Sequence, residues 1–504
     1  MGLRRNTIAN YAGEGYTALI GVIVLPLYLQ FLGAEAFGLV GFFLLLQAWL
    51  YLLDFGLSPT LAREVAYAKG LAGGLLDFGR MLRSIELIFL FLATALAVGI
   101  YWASGKISHQ WIDSQTIAEE TISYCITLMG ITIALRLFSS LYRSGIRGLE
   151  DQVWLNFANV LIVSARFIGA LAVMRLISAD IRVFFELQIL VGIAEVIILG
   201  FRLYGRLSLG LLEIPIRIHW PSLRNVAPFA LSIAYTAGIW VMLTQFDKLV
   251  LSGILPLDEF GYFSLVSLIA GGVLVMTGPI VQAILPRMTS LLAEGRRDEM
   301  LHVYRNASQL VAVLAVSTAL VIGTYSEVLL YAWTGDRAAA RWGAEVLPWF
   351  VFGNAFLALS AFQYYLQNAF GELRLHVIGT TISVVIQVPI IYYAATNYGA
   401  VGAGIAWFGI RLVWFAVWAP IVHGRLAPGL HLVWISKDLL PVVVVAGLTI
   451  AALVKLVAID LSDGRLVLAS MLVALGLVEL AAAAASSEFA RSLISEFLSR
   501  LRGE

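Results

Sequence analysis

The chain has 504 residues, of which 60% are hydrophobic and only 13% are charged, and its mean hydropathy is +0.89. Soluble domains are nearer half apolar and a quarter charged, so this composition is that of a polytopic membrane protein. The net charge of +1 gives no indication of a nucleic-acid partner. The single cysteine, Cys125, excludes an intramolecular disulfide and a cysteine-cluster metal site, and we predict neither a metal nor a cofactor.

Fourteen apolar segments follow one another along the chain, each close to the roughly 20 residues that a membrane-spanning helix needs. They cover residues 11–32, 37–57, 85–103, 119–141, 152–174, 183–203, 227–255, 261–284, 307–330, 345–366, 375–396, 402–423, 439–459 and 465–486. The sequence therefore predicts an all-α polytopic membrane protein with about 14 transmembrane helices.

Lysine and arginine are distributed unevenly between alternate loops. If the N-terminus is on the inside, 22 of the 33 lie in inside segments, 6 in outside segments and 5 within spans. Cytoplasmic loops carry an excess of these residues in membrane proteins. We therefore expect both termini in the cytoplasm and the protein in the cytoplasmic (inner) membrane.

A weak internal repeat relates two parts of the chain at an offset of 223 residues. FLGAEAFGLVGFF (31–43) aligns with GILPLDEFGYFSLV (253–266), with Gly38 on Gly261, and the same shift places the first six spans on spans seven to twelve. Six spans is an even number, so the two repeats have the same orientation, and two such bundles around a central cavity are typical of transporters. The predicted domains are an N-terminal lobe (1–215), a C-terminal lobe (216–425), and two additional helices with a cytoplasmic tail (426–504).

Three stretches resemble bacterial polysaccharide-biosynthesis flippases of the Wzx type, members of the multidrug/oligosaccharidyl-lipid/polysaccharide exporter superfamily. They are the opening NTIANYAGEGYTALIGVIVLPLYLQFLGAEAFGLVGFF, the segment FDKLVLSGILPLDEFGYFSL with PIVQAILPRMTSLLAEG after it, and LQNAFGELR with NYGAVGAGIAW near the end. The resemblance implies a non-enzymatic flippase that moves a polyprenyl-diphosphate-linked oligosaccharide from the inner to the outer leaflet by alternating access. It also implies contact with membrane lipids, an H⁺ or Na⁺ gradient as driving force, and a glycan polymerase as a candidate partner.

Such a substrate needs cations inside the helical bundle, and charged residues at membrane depth are functional by default. Arg166 lies near the middle of span five, on one stripe with Asn156 and Asn159 at helical spacing. Arg411 lies close to the centre of span twelve. We predict that both bind the diphosphate, since the guanidinium fork can bind it bidentately.

Lys248 and Arg136 are further candidates for the diphosphate site. Arg136 lies near the inner end of span four, where extension of the side chain to the interface is an alternative explanation. The alternative for the central arginines is a structural role, bonded to backbone carbonyls or to the mid-span residues Glu195 or Glu479.

Acidic residues in three spans are candidates for ion coupling or gating. Asp247 stands beside Lys248 in TQFDKLVL of span seven, Glu14 lies in the inner half of span one, and Asp54 lies near the cytoplasmic end of span two. The alternatives are a local salt bridge at the outer gate for Asp247 and a structural hydrogen bond for Glu14.

Two further groups complete the predicted site. The polar residues expected to line the cavity are Asn10, Asn156, Asn159 and Gln387. The arginines expected at the inner mouths, where they would recruit the diphosphate, are Arg63, Arg143, Arg147 and Arg287. Their positions are also those that the excess of positive charge on the inside predicts without any such role.

Two alternative functions remain open at this point. A cation-coupled multidrug antiporter of the same superfamily would usually have twelve helices and a more apolar cavity, and a lipid II flippase would share the architecture. An ATP-driven pump is excluded because the nearest string to a phosphate loop, GIYWASGKI (99–107), lacks the required spacing and the final Ser or Thr.

Overall fold

The computed structural model describes residues 2–70, 74–207 and 217–492, and nearly all of these residues are helical. The helices are α1 (Gly2–Leu32), α2 (Ala34–Leu50), α3 (Leu57–Ala68), α4 (Gly74–Gln110), α5 (Glu119–Gly148), α6 (Gln152–Leu176), α7 (Ile181–Leu207), α8 (Trp220–Ser252), α9 (Leu257–Ala293), α10 (Arg297–Thr324), α11 (Ser326–Thr334), α12 (Arg337–Ala369), α13 (Arg374–Leu426), α14 (Leu430–Val433), α15 (Leu440–Leu456) and α16 (Arg465–Ser486). A 3₁₀ turn (Tyr51–Asp54) follows α2, and a π-helical turn (Trp434–Leu439) precedes α15.

Thirteen helices within these described ranges are long and apolar enough to cross a membrane. One of them, α13, has 53 residues and a non-helical backbone at Gly399 (φ 61°, ψ −149°), so it consists of two helices joined at a kink. Glycine, having no Cβ, adopts such a positive φ readily. Residues 374–398 and 400–426 are each roughly 40 Å long at 1.5 Å per residue, enough for one span apiece. The prediction of an all-α polytopic protein is confirmed, with predicted spans eleven and twelve merged in α13.

Residues Met1–Gly261 form one compact unit. Within it α5 packs against α4 and α7, and α1 packs against α6. The short amphipathic helix α3 also packs against α4 and α5, since its apolar face joins their core. That core includes Leu61, Val65, Leu82, Ile85, Leu141 and Leu203, all fully buried. These contacts fix the relative positions of α5, α6 and α7, which carry the charged cluster described below.

Residues Tyr262–Glu504 form a second compact unit. Helix α12 packs against α10 and α13, and α16 packs against α10, α11 and α15. Trp434 of the π-helical turn is fully buried, and its indole Nε1 donates to Oγ of Ser308 at 2.8 Å. The predicted boundary between residues 215 and 216 lies outside the described residues, and so do residues 493–504 of the predicted cytoplasmic tail.

The two stretches that the 223-residue offset aligns contain glycines in close contact. A Cβ atom on Gly261 would lie 2.7 Å from the carbonyl oxygen of Ala34 and 3.1 Å from the amide nitrogen of Gly38. A Cβ atom on Gly38 would in turn meet the backbone of Leu257. Ala34 and Leu257 are also aligned by the 223-residue offset. Gly261 therefore contacts Ala34, and Gly38 contacts the residue that aligns with Ala34. Larger side chains at either position would separate these helix ends.

Candidate functional site: a buried arginine cluster

Arg166 of α6 lies inside the N-terminal unit with 7% of its surface exposed. Its Nη2 atom donates to Oε2 of Glu195 at 2.7 Å, and its Nη1 atom donates to Oε1 of Gln188 at 3.0 Å. Glu195 and Gln188 both come from α7, and both are buried. Arg166, the central arginine of predicted span five, is therefore fixed by hydrogen bonds to two residues of the next helix, α7.

The same carboxylate also binds an arginine from α5. Nε and Nη2 of Arg143 donate to Oε1 of Glu195 at 3.0 and 2.8 Å, and Nη1 of Arg143 donates to Oδ1 of Asn159 at 2.9 Å. Arg143 was predicted at an inner mouth, whereas its side chain is about one quarter exposed and points into the cluster. Glu195 therefore joins α5, α6 and α7 through two guanidinium groups.

A third arginine, Arg136 of α5, lies within electrostatic reach of Arg143, Arg166 and Glu195. Its guanidinium carbon is 5.5 Å from the ring centre of Phe43, and its Nε atom has no hydrogen-bond partner among the described residues. We call Arg136, Arg143, Arg166 and Glu195 the arginine cluster. Three guanidinium groups against one carboxylate give this cluster a net charge of +2 within helices of high hydropathy. Such a site can bind an anion with two negative charges.

Neutral polar groups connect the arginine cluster to α1. The Nδ2 atom of Asn159 lies 3.4 Å from Oγ1 of Thr17. One and two turns away, Asn156 donates to Oδ1 of Asn10 at 2.6 Å, and Asn10 donates to Oε1 of Gln152 at 2.7 Å. The predicted stripe of asparagines on span five thus faces the predicted stripe on span one. Its amides offer donors and acceptors of the kind that bind sugar hydroxyls.

The arginines of α5 lie along one face of that helix. Arg136, Arg143 and Arg147 are separated by seven and four residues, spacings that return to the same side of an α-helix. They span about 16 Å along the axis at 1.5 Å per residue. Arg147, in the last turn of α5, is exposed, while Arg143 and Arg136 are partly buried.

The described part of the C-terminal unit also contains a buried arginine. Arg411 is 4% exposed, its Nη2 atom donates to Oε1 of the fully buried Gln387 at 2.8 Å, and its guanidinium carbon lies 4.2 Å from the ring centre of Trp407. Both carboxylate oxygens of Glu479 are without a hydrogen-bond partner among the described residues, so Glu479 does not bind Arg411.

The Asp-Lys pair of span seven lies in α8. Asp247 is 2% exposed, and Lys248 is half-buried with its Nζ atom 3.1 Å from Oε1 of Gln245. Asp54 is also buried, and its carboxylate accepts hydrogen bonds from the backbone amide of Ser58 at 3.2 Å and from the Ser58 hydroxyl. Glu14 is exposed on α1. Of the three candidate coupling residues, two are therefore enclosed and one is accessible.

The remaining arginines predicted at inner mouths are exposed. The guanidinium carbon of Arg63 lies 4.5 Å from the ring centre of Phe229, and Arg287 is exposed on α9. A different residue, Gln188, was not predicted, although it lies seven residues before Glu195 and therefore on the same face of α7. Within the ranges that the structure describes, no group of three or more His, Cys, Asp or Glu residues could hold a metal ion.

Comparison with known families decides where the chain belongs. Residues 3–292 match the sequence profile of a family described as polysaccharide biosynthesis protein, which is more than half of the chain. The chain belongs to this family. The resemblance to Wzx-type flippases is thereby confirmed.

One relative in sequence and two solved structures are similar to this chain over most of its length. The chain is 20% identical over 420 residues to a protein named as an O-antigen transporter from Shigella flexneri, covering 82% of this chain and 96% of the relative. The fold is similar to that of the lipid II flippase MurJ in an inward closed conformation (TM-score 0.71, 13% identity, 97% of this chain and 99% of that chain). It is also similar to an inward-facing multidrug resistance MATE family transporter of the MOP superfamily (TM-score 0.65, 15% identity, 85% and 99%). The chain is therefore a multi-pass membrane protein of the polysaccharide biosynthesis family, with a fold similar to those of these two proteins.

Proposed function

We propose that the protein flips a polyprenyl-diphosphate-linked oligosaccharide from the inner to the outer leaflet of the cytoplasmic membrane, for synthesis of a cell-surface polysaccharide. The observation that carries this proposal is the net charge of +2 on the arginine cluster inside an apolar helical unit. The family match and the relative named as an O-antigen transporter support a glycan as the cargo.

The chemistry of the substrate explains why such a cluster is needed. The polyprenyl tail can remain in lipid, but the diphosphate carries charge that the bilayer core does not tolerate. Guanidinium groups bind such oxyanions through two parallel hydrogen bonds, which Lys cannot form. A surplus of two positive charges matches a diphosphate with two negative charges, so the loaded site would be close to neutral.

We propose that Glu195 acts as a resident counter-ion in the empty transporter. It occupies Arg143 and Arg166 when no substrate is present, which avoids two unpaired buried cations. An incoming diphosphate would take over donors from both arginines, with Arg136 available to it from the start. The amides of Asn10, Asn156 and Asn159 are then close enough to contact the first sugars.

The exposed Arg147 lies at the inner end of the same face of α5 and would be the first cation that the diphosphate meets. Arg63 and Arg287 are exposed and would attract anionic headgroups in the same way. Arg411 and Gln387 would form a second polar site in the C-terminal unit. The same proposal includes proton or sodium coupling by Asp247, Glu14 and Asp54. It also includes alternating access, a cytoplasmic position of both termini and cooperation with a glycan polymerase.

The decisive experiment compares cells with and without the gene. Surface glycan and the pool of lipid-linked oligosaccharide are measured by mass spectrometry. We expect the surface glycan to disappear while an intact lipid-linked unit accumulates inside, and the retained sugar would identify the substrate. Normal glycan with accumulation of toxic cations would instead indicate a drug antiporter, and accumulation of lipid II would indicate the peptidoglycan precursor as cargo.

A further inference from the structure

Glu479 is a fully buried carboxyl group without a hydrogen-bond partner in the part of the chain that the structure describes. It lies in the inner part of α16, its exposed fraction is 0%, and neither Oε1 nor Oε2 is bonded to any described residue. It belongs to the pair of helices that follow the two predicted six-helix lobes. An ionised carboxylate enclosed in this way would be very costly, because it is shielded from bulk solvent and is paired with no cation among the described residues.

Hydrogen bonds at the inner end of α16 fix the alignment of this helix on α10. Oγ of Ser487 donates to Oε1 of Gln309 at 2.8 Å, and the backbone amide of Phe489 donates to the same oxygen at 3.2 Å. Further out, Leu475 lies in one apolar cluster with Val321 of α10. Leu475 lies twelve residues before Ser487, and Val321 lies twelve residues after Gln309. The two helices are therefore antiparallel, and equal numbers of residues from the Ser487–Gln309 bond correspond to equal depths.

This alignment places Glu479 level with Ser317 of α10, since each lies eight residues, or about 12 Å, from the Ser487–Gln309 bond. Ser317 is 2% exposed, and its hydroxyl group also has no hydrogen-bond partner in the described part of the chain. Two enclosed polar groups, both unsatisfied, therefore occur at the same depth of one helix interface. A protonated carboxyl group has an O–H donor as well as an acceptor and is suited to a serine hydroxyl.

The charged groups of the elements packed against α16 lie at other depths. On α10 they are Arg297, Asp298, Glu299, His302 and Arg305, all inward of Gln309, together with Tyr304. On α11 they are Glu327 and Tyr331, on α15 Lys455, and on α16 itself Arg465, all towards the outer end. None of these described groups forms an ion pair with Glu479.

We propose that Glu479 and Ser317 form a proton-binding site in the interface between α16 and α10. The carboxyl group holds a proton while the interface is closed. It can release that proton only where water reaches it, that is, when α16 separates from α10 at this depth. Proton binding is thereby linked to the docking of the additional helices on the C-terminal unit. This site does not depend on the identity of the cargo.

Infrared spectroscopy of the full-length protein in lipid bilayers tests the protonation state directly. We expect the difference spectrum between wild type and Glu479→Gln at neutral pH to contain the C=O stretch of a protonated carboxylic acid. Glu345→Gln, which removes an exposed glutamate of α12, is the matched control and should leave the region of the acid C=O stretch unchanged. Ser317→Ala should shift the acid C=O band, because the frequency of this band reports hydrogen bonding. A difference spectrum with carboxylate bands alone would overturn the proposal.

Thermal unfolding across pH provides a second readout that does not need transport. A rising pH should lower the unfolding temperature of the wild type, because ionisation of Glu479 opposes burial of α16. Glu479→Gln keeps the shape of the side chain and remains neutral at every pH. The part of the decrease in unfolding temperature that ionisation of Glu479 causes should therefore be absent in this variant. Equal pH dependence in both proteins would contradict the proposal even if both fold normally.

Discussion

Two buried charged networks, one in each compact unit, differ in their balance of charge. The arginine cluster of the N-terminal unit has three guanidinium groups and one carboxylate. In the C-terminal unit, Arg305 binds Asp438 bidentately, with Nε–Oδ2 at 2.7 Å and Nη2–Oδ1 at 2.8 Å, and Gln309 donates to the same carboxylate at 2.8 Å. The second network is one cation against one anion.

The balanced network is explained by structure alone. Asp438 lies on the π-helical turn, 1% exposed, and its bonds to Arg305 and Gln309 fasten this turn and the following helices to α10. Every polar atom named in it has a partner, as buried ion pairs require. The arginine cluster has more positive charge than its own carboxylate can neutralise. Surplus charge at membrane depth is costly unless a ligand compensates it, which supports the proposed role of this cluster in binding an anion.

The largest difference between the two networks should come from removing one arginine of each. We expect Arg166→Ala to lower flipping at least 30-fold, about 2 kcal/mol, because a bidentate partner of the diphosphate is lost. Arg305→Ala should lower the unfolding temperature but leave the activity per folded molecule close to normal, since it leaves a buried carboxylate unpaired away from the cluster. Surface glycan per unit of membrane-inserted protein is the measurement.

If the Arg305→Ala protein does not insert into the membrane, Arg305→Lys serves as the control, because it retains the positive charge opposite Asp438. Full activity of Arg166→Ala would show that the arginine cluster, like the Arg305–Asp438 network, has only a structural role.

Replacing the carboxylates should also separate the networks. Glu195→Gln removes the resident counter-ion, so a short-chain polyprenyl diphosphate should bind about tenfold more tightly, corresponding to about 1.4 kcal/mol. Asp438→Asn, the matched change in the balanced network, should leave this affinity unchanged and lower stability. Calorimetric titration in detergent measures the affinity of each variant for the diphosphate, and thermal unfolding measures its stability. Weaker binding in Glu195→Gln would show that Glu195 positions the arginines rather than competing with the ligand.

Arg136 allows the surplus charge to be reduced without breaking an ion pair of the described structure. Arg136→Leu lowers the net charge of the cluster to +1, and we expect about fivefold weaker binding of the same diphosphate, roughly 1 kcal/mol. Arg136→Lys preserves the charge and should retain most of the affinity. Unfolding temperature should change little in either variant. If Arg136→Leu unfolds readily while binding is unaffected, the residue acts through its contact with Phe43.

The fold was largely predictable because the bilayer imposes length and apolarity on each span. The exceptions have local causes. Helix α13 merges two predicted spans because the chain turns at Gly399 alone rather than over a loop. The short helices α3, α11 and α14 were not predicted, since they are too short or too amphipathic to meet the requirement for a span. Their burial depends on neighbours that hydropathy does not specify.

The candidate site was predictable only as far as helical periodicity extends. Spacing placed Arg166, Asn156 and Asn159 on one face of a helix, and the three lie there. The pairing of Glu195 with both Arg143 and Arg166 depends on how α5, α6 and α7 pack, and periodicity within one helix does not contain this information. Arg143 was assigned to an inner mouth because the positive-inside rule explains any arginine near the cytoplasmic end of a span.

The smallest expected effect concerns a third group of charges, at the connection between α5 and α6. Arg202 and Arg206 donate to Oδ2 of Asp151 at 2.8 and 2.9 Å. Burial alone would raise the pKa of Asp151, but the hydrogen bonds from Arg206 and Arg202 outweigh it and lower this pKa. A carboxyl group with a lowered pKa stabilises the fold above its unfolded pKa of about 3.9 and loses this contribution as the pH falls through its folded value.

At neutral pH, Asp151→Asn should therefore be less stable than the wild type by up to about 1 kcal/mol, and the difference should disappear at a pH below the lowered pKa of Asp151 in the folded state. Thermal unfolding at the two pH values measures it, and Asp77→Asn, in an exposed pair within one helix, is the control. Like the arginine cluster, this group has more arginines than carboxylates, yet Arg206 is half exposed and its charge is solvated. Normal flipping by Asp151→Asn would show that surplus positive charge matters for transport only where water cannot neutralise it. Loss of flipping comparable to that of Arg166→Ala would extend the anion path to the inner end of α7.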